Sequence, residues 1–188
     1  MWKRFKQFCH FSRVGNKLVQ PTFRPFMFTL DKHVLQVMPA KESDIANLLF
    51  LETKTYEGRT PWAAEIFQLE LQKKDSLYIV VYHKTALIAV IGMRLNLVEA
   101  HITNLAVDPA WQKKGLGTYL MQLMIDYARK LGCHSISLEV RIDNEVAKKL
   151  YQGLGFTVNF VRPNYYQDLH KDGLNMVLTL APDDKESD

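Results

Sequence analysis

Apolar residues recur along the chain at two different intervals, and the change from one interval to the other marks out its elements. His33 to Met38 reads as a first strand. Lys41 to Thr53 carries Ile45, Leu48, Leu49 and Leu51 at mostly helical spacing, and Pro61 to Lys73 repeats the idea with Ala64, Ile66, Phe67, Leu69 and Leu71. Two helices therefore follow the first strand. Ser76 to His83 and Ala86 to Leu97 are β-rich runs separated by a polar turn around Lys84, and His101 to Val107 continues them after Glu99. Together they predict an antiparallel meander.

Beyond Val107 the order becomes strand, helix, strand, helix, which calls for crossovers and parallel pairing, and so for an α/β fold. Gly115 to Leu131 places Leu116, Leu120, Leu123, Met124, Tyr127, Ala128 and Leu131 on one helical face, with Gly132 as a natural C-terminal stop. His134 to Arg141 alternates: Ile136, Leu138 and Val140 share one face, and Ser135, Ser137, Glu139 and Arg141 the other. Asp143 or Asn144 caps a helix carrying Val146, Ala147, Leu150, Tyr151 and Leu154, which Gly155 ends. Phe156 to Val161 and Leu174 to Leu180 close the sheet. With 188 residues the chain is expected to hold one domain. Its expected limits are residues 31 to 180, after an extension over 1 to 30 and before a mobile acidic tail over 181 to 188.

Composition narrows the class. With 47% hydrophobic and 23% charged residues, the chain is neither disordered nor fibrous. Its longest strongly apolar stretch, Ala86 to Met93, stops at Arg94, far short of the roughly 20 residues a membrane helix needs. Two cysteines, Cys9 and Cys133, are too few for a disulfide framework; Cys133 is expected in the core and the protein in the cytoplasm. No two histidines stand four apart, so no metal site is expected.

The net charge of +4 is uneven, because residues 1 to 30 hold Lys3, Arg4, Lys6, Arg13, Lys17 and Arg24 with no acid, leaving the remainder slightly acidic. Trp2, Phe5, Phe8 and Phe11 recur every third residue in that arm. It reads either as an amphipathic helix packed on the body or as an electrostatic handle for RNA, the ribosome or an anionic membrane surface. It lacks the apolar run and cleavage site of a secretory signal.

The chemistry is concentrated in Leu105 to Thr118, a strand that enters a loop containing Gly115 and Gly117 and opens the long helix. A helix N-terminus presents orphan N–H groups that bind phosphate, and glycines let the backbone come close; Lys113 and Lys114 add positive charge. A purely structural turn would look similar. The dinucleotide fingerprint fails at Leu120, and no G-x-x-x-x-G-K-[ST] sequence occurs.

Gln112, Gly115 and Gly117 match the Q/R-x-x-G-x-G/A signature of the GCN5-related N-acetyltransferases, which the chain therefore resembles. The likeness extends to Leu138 through Arg141, Asn144, Leu150 through Phe156, Pro61 with Trp62, and Asn164 through Tyr166, which look like the bacterial ribosomal-protein alanine N-acetyltransferases of the RimI type. It covers roughly Leu35 to Leu178, and the arm lies outside it. The resemblance implies a mixed central sheet splayed around acetyl-CoA with helices on both faces. It implies that backbone groups of Leu105, Ala106 and Val107 bind the pantetheine like a missing strand. Amides of Lys113, Lys114, Gly115, Leu116, Gly117 and Thr118 would hold the pyrophosphate. Asn144 would touch the cofactor or act simply as an N-cap.

By the same resemblance Glu139 is the base that takes the ammonium proton, its pKa raised by burial, and Tyr151 is the acid that protonates the departing thiolate. A strand amide, that of Val107, would stabilise the oxyanion. Trp62, at the start of the second helix, and Tyr165 and Tyr166, in the loop before the last strand, would line the acceptor's peptide groove. The implied activity is acetyl transfer to the N-terminal alanine of a small-subunit ribosomal protein. Acetylation of a small amine or a lysine, and a non-catalytic module that binds acetyl-CoA or RNA, are the alternatives.

Overall fold

The computed structural model describes residues 23–56, 58–96 and 98–180. A strand that the pattern did not announce comes first: β1 (Phe26–Leu30) turns through Asp31 and Lys32, both at positive φ, into β2 (His33–Pro39). Two consecutive left-handed residues make the tight hairpin whose twist matches that of its strands. Phe26, Phe28 and Leu30 face inward while Met27 and Thr29 face out. Among the described residues the sheet begins at Phe26, inside the segment read as an extension, and Phe23 before it is already buried. The basic charge and the prolines of that segment obscured a short alternation.

A single turn of 3-10 helix at Glu42–Asp44 leads into α1 (Ile45–Thr55), and α2 (Ala64–Gln72) follows. Both start later than expected; Pro61 and Trp62 form a bend before α2. The meander is as expected: β3 (Ser76–His83), β4 (Ala86–Leu95) and β5 (Glu99–Val107) pair antiparallel. Then come α3 (Leu116–Lys130), β6 (Ser135–Arg141), α4 (Glu145–Gly153), β7 (Thr157–Tyr166) and β8 (Lys171–Thr179). The eight strands order as β1-β2-β3-β4-β5-β6-β8-β7.

Among them only β5 and β6 run parallel, and their register covers Glu99 to Ile102 against Ser135 to Leu138. Both strands continue past that point, so they part: among the described residues β5 from Thr103 to Val107 has β4 on one side and no strand on the other. The parting coincides with a bulge at Thr103, where β4 steps from Gly92↔Asn104 to Met93↔Ile102. Gly92 is required there, because a Cβ would fall 2.3 Å from the Tyr78 ring.

One face of the sheet packs α3 and α4 through Leu116, Leu120, Met124, Tyr127 and Tyr151 onto Ile79, Ile91, Ile136 and Met176. Each buried aliphatic or aromatic side chain contributes about 1.5–3 kcal/mol. Cys133 lies in this core, as expected. On the other face α1 and α2 cover β3, β4 and the far end of β5 through Leu48, Leu51 and Phe67. They do not reach β6, β8 and β7, where the same face carries Ser137, Glu139, Asn175 and Arg162 over an open groove. Among the described residues no helix is long and apolar enough to cross a membrane.

Candidate active site

The unpaired edge of β5 leads directly into the glycine loop. Asp108 accepts the amide of Ala110 (2.9 Å) and the Lys54 ammonium (3.0 Å), closing a 3-10 turn at Pro109–Trp111. Gln112 donates its side-chain amide to the Val107 carbonyl (2.9 Å), so the first residue of the signature ties the loop to the strand end. Of the three strand residues expected to meet the cofactor, Val107 therefore has its carbonyl already engaged.

Lys113 and Gly115 both adopt positive φ (58° and 85°), and Gly115 stands as the N-cap of α3. Left-handed residues of this kind, set among ordinary ones before a helix N-terminus, are the backbone pattern in which successive amides can converge on an anion. Lys114 lies over the Trp111 ring at 5.3 Å. Leu116 is buried, so its side chain serves the core and only its backbone faces the loop. Gly117 packs closely, since a Cβ would sit 3.3 Å from the end of Leu150, and Thr118 is exposed. Asn144 is the N-cap of α4: its side-chain oxygen accepts the Ala147 amide at 3.1 Å, which leaves its Nδ2 outside the cap.

Glu139 sits where β5 and β6 part. Its side chain is 6% exposed, and it is held from three strands: His101 Nε2 at 3.0 Å, Arg162 Nε at 3.1 Å and Asn175 Nδ2 at 3.1 Å. Burial pushes its pKa up, but the hydrogen bond and charge of His101, then Asn175 and Arg162, outweigh burial and hold it below the usual carboxylate range. This reverses the expected direction. The alternation along β6 places Glu139 on the polar face, whereas His101 and Arg162, which lower its pKa, come from β5 and β7.

Tyr151, on α4, is 7% exposed and packs edge-tilted on Phe156. Burial, then neighbouring Tyr56, raise its pKa, so the phenol keeps its proton at neutral pH. Tyr56, just past α1, is pushed up to about 12 by burial and Glu52, with Arg141 opposing. Tyr166 is raised by burial and by Tyr165, Tyr151, Tyr56 and Glu139, so the phenols and the carboxylate form one electrostatic group.

Tyr165 and Tyr166 are not in a loop. They end β7, which runs past Val161 to Tyr166, and the turn to β8 is Gln167–Leu169. Pairing of β7 with β8 jumps from Arg162↔Gly173 to Tyr166↔Lys171, with Asn164 at φ 49° and its amide on Asp172 (2.8 Å). The irregularity lays Tyr165 against Gly173, where a Cβ would lie 3.1 Å away. Trp62 precedes α2 instead of starting it; its amide donates to Glu52 (3.1 Å) and its ring rests on Phe67 and Tyr78. Trp62, Tyr165 and Tyr166 join His101 and Glu139 around a cavity of about 150 Å³. A second cavity, of about 400 Å³, shares His101 and Glu139 and continues along the bare face past Ser137 to Glu99.

Pattern reading had missed His101, Arg162, Asn175 and Glu52. Glu52 is fully buried on α1, accepts from Trp62 and from Asn104 (3.0 Å), and has its pKa raised by burial against both hydrogen bonds. A glutamate at a helical core position was the available signal. Among the described residues no cluster of three or more His, Cys, Asp or Glu could hold a metal ion.

The site thus consists of a parallel pair of strands that opens midway, a glycine-containing turn at the open end and a carboxylate beside the parting. The model of the acetyltransferase (GNAT) family matches residues 44–156, and the chain belongs to that family. An uncharacterized protein of Mycobacterium leprae is 32% identical over 153 residues, 79% of this chain, although the match spans only 41% of that longer protein. The N-alpha-acetyltransferase RimI of Mycobacterium tuberculosis is 28% identical over 152 residues, 79% of this chain and 94% of the relative. The crystal structure of the ribosomal-protein-S18-alanine N-acetyltransferase from Escherichia coli superposes with TM-score 0.70 at 29% identity, covering 81% of this chain and 99% of that one.

Proposed function

We propose that the protein transfers acetyl from acetyl-CoA to the free N-terminal alanine of a small-subunit ribosomal protein. The observation that carries this reading is the aromatic-walled cavity of Trp62, Tyr165 and Tyr166 that ends on Glu139, at the point where β5 and β6 part. A narrow cleft with aromatic sides suits a short extended chain end, and the names of the M. tuberculosis and E. coli relatives agree with such an acceptor.

The residues fit acetyl-CoA as the donor: among the described residues the β5 edge facing β6 has no strand partner beyond Ile102, and the left-handed turn at Lys113 and Gly115 would offer amides to a pyrophosphate. Backbone of Leu105 to Val107 and amides of Lys113 to Thr118 would hold it, with the Nδ2 of Asn144 beside them. Acetyl-CoA supplies the activated acyl group. Glu139 takes the proton that the acceptor's ammonium must lose before its nitrogen attacks, and the Tyr151 hydroxyl protonates the departing sulfur. As a depressed carboxylate, Glu139 stays ionised and ready at neutral pH but is a weak resting place for a proton.

The six bases of residues 1 to 30 are proposed as a contact to the ribosome or its RNA; of these only Arg24 lies within the described residues.

Thiol release from acetyl-CoA with a short peptide carrying a free N-terminal alanine tests the assignment, against the same peptide blocked at its N-terminus and carrying a lysine. Turnover on the free-alanine peptide alone is expected. Activity confined to the blocked peptide would move the assignment to lysine, and activity on neither would move it to a small amine or to a binding role. Glu139→Gln should lower kcat about 100-fold or more near neutral pH and less as the amine loses its own proton at higher pH, with KM for acetyl-CoA kept.

A further inference from the structure

The cavity of about 400 Å³ beside Glu139 extends well past the point of transfer. It begins at His101 and Glu139, which it shares with the aromatic-walled cavity, and follows the bare face of β5 and β6 to Ser137, Ser135 and Glu99. A chain end seated at Glu139 can therefore continue down the sheet without leaving the cleft.

The contacts along the floor leave one charge uncompensated. A carboxylate only accepts, so the Ser137 hydroxyl gives its single hydrogen to Glu99 and accepts from His101 Nδ1 (2.9 Å), while His101 Nε2 donates to Glu139 (3.0 Å). The Arg162 guanidinium also turns to Glu139 (3.1 Å). Glu99 is left with a neutral hydroxyl, and among the described residues it forms no ion pair. It is half-buried at the far end of the groove. A carboxylate in that position gains from a cation that a ligand brings to it.

Resting on the reading of this cleft as the acceptor site, we propose that Glu99 selects acceptors with a lysine or arginine at the second or third residue, held in the groove beyond Glu139. Ser137 stands two residues before Glu139 on β6, roughly 7 Å away at the rise of a strand. Glu99 reaches Ser137 from β5 across the parallel pair. An extended acceptor advances at the same rate, so its third residue comes level with Ser137, and alternation turns that side chain to the same face as the first. The long stem of a lysine or arginine at the second residue spans the same interval, its apolar part along the groove and its charge at the end. An acidic residue at either position would meet Glu99 with no cation to offset the pair.

The test is acetyl transfer by the full chain to pentapeptides with a free N-terminal alanine, carrying lysine, norleucine or glutamate at the second or the third residue. In wild type, lysine at one of these positions should raise kcat/KM about 5- to 10-fold over norleucine, chiefly through KM, and the gain should shrink with added salt. Glu99→Gln keeps an acceptor oxygen for Ser137 and should bring the ratio of the lysine to the norleucine peptide close to one. Glu99→Lys should invert the preference toward glutamate. A merely structural role for Glu99 would slow all the peptides alike and leave their ratios unchanged. Calorimetric titration of the same peptides in the presence of CoA reads binding apart from turnover.

Turnover of the alanine peptides with no preference for charge at either position, or with a lysine preference that survives in Glu99→Gln, would overturn this inference and leave the proposed activity standing. Tighter binding of a lysine peptide that is lost in Glu99→Gln, without turnover of any peptide, would keep the groove and overturn the activity. Neither binding nor turnover would overturn both.

Discussion

Two buried glutamates on the α1 and α2 side of the sheet have been given opposite acidities by their neighbours. Glu139 has His101, the Arg162 guanidinium and the Asn175 amide within hydrogen-bond reach and its pKa is lowered; Glu52 has only neutral donors and its pKa is raised. Linkage gives each a sign. Glu139 adds stability above the unfolded carboxylate pKa, and that share is lost as pH falls through its depressed folded value. Glu52 prefers its protonated form in the fold, so the protein loses stability as pH climbs from the unfolded carboxylate pKa through the raised folded one. Glu52→Gln should therefore flatten the decline of melting temperature between mildly acidic and neutral pH, while leaving the acid limb set by Glu139 in place. A thermal denaturation series over pH checks this, and an unchanged slope would count against Glu52 as its source. The helical spacing that marked α1 could flag Glu52 as a core position, but its Trp62 and Asn104 partners come from other elements, so the sign of its shift was not readable from the pattern.

At the level of elements, α3 was the most legible. Its buried stripe, Gly115 at its start and Gly132 in the left-handed conformation after its end all follow from local rules of periodicity and capping. Gly115→Ala should cost about 1 kcal/mol, because φ of 85° is strained for any residue with a Cβ. That corresponds to a fall of roughly 2–4 °C in melting temperature for a domain of this size. It should also raise KM for acetyl-CoA more than it lowers kcat. Steady-state kinetics beside a melting curve separates the two effects. Less legible were the hairpin elements. β1 was hidden by the composition around it, and β7 was cut short because its register break at residues 163–165 disrupts the alternation that identifies a strand. That break puts Tyr165 and Tyr166 over the cavity, so the irregularity that concealed the strand also shapes the site.

On the scale of the molecule, the sheet's start at Phe26 decides how the basic arm can be separated from the catalytic body. Removing residues 1–22 should leave activity on a free peptide intact while lowering ribosome or RNA affinity and its dependence on salt. Removing residues 1–30 should lower the melting temperature clearly, because Phe23, Phe26, Phe28 and Leu30 leave the main core. Equal stability of the two truncations would show that β1 adds nothing to the fold.

Helix faces, strand alternation, caps and the glycine signature are local properties, carried by residues within a few positions of one another, and they were enough to place the chain in its fold class and family. The acidity of Glu139 and the company it keeps are not local. His101, Glu139, Arg162 and Asn175 lie on four different strands and meet only because β6 inserts between β5 and β8 in this register. Charges act through space, not along the chain, so the direction of the shift and the cavity that opens beside Glu139 existed only once the sheet was assembled.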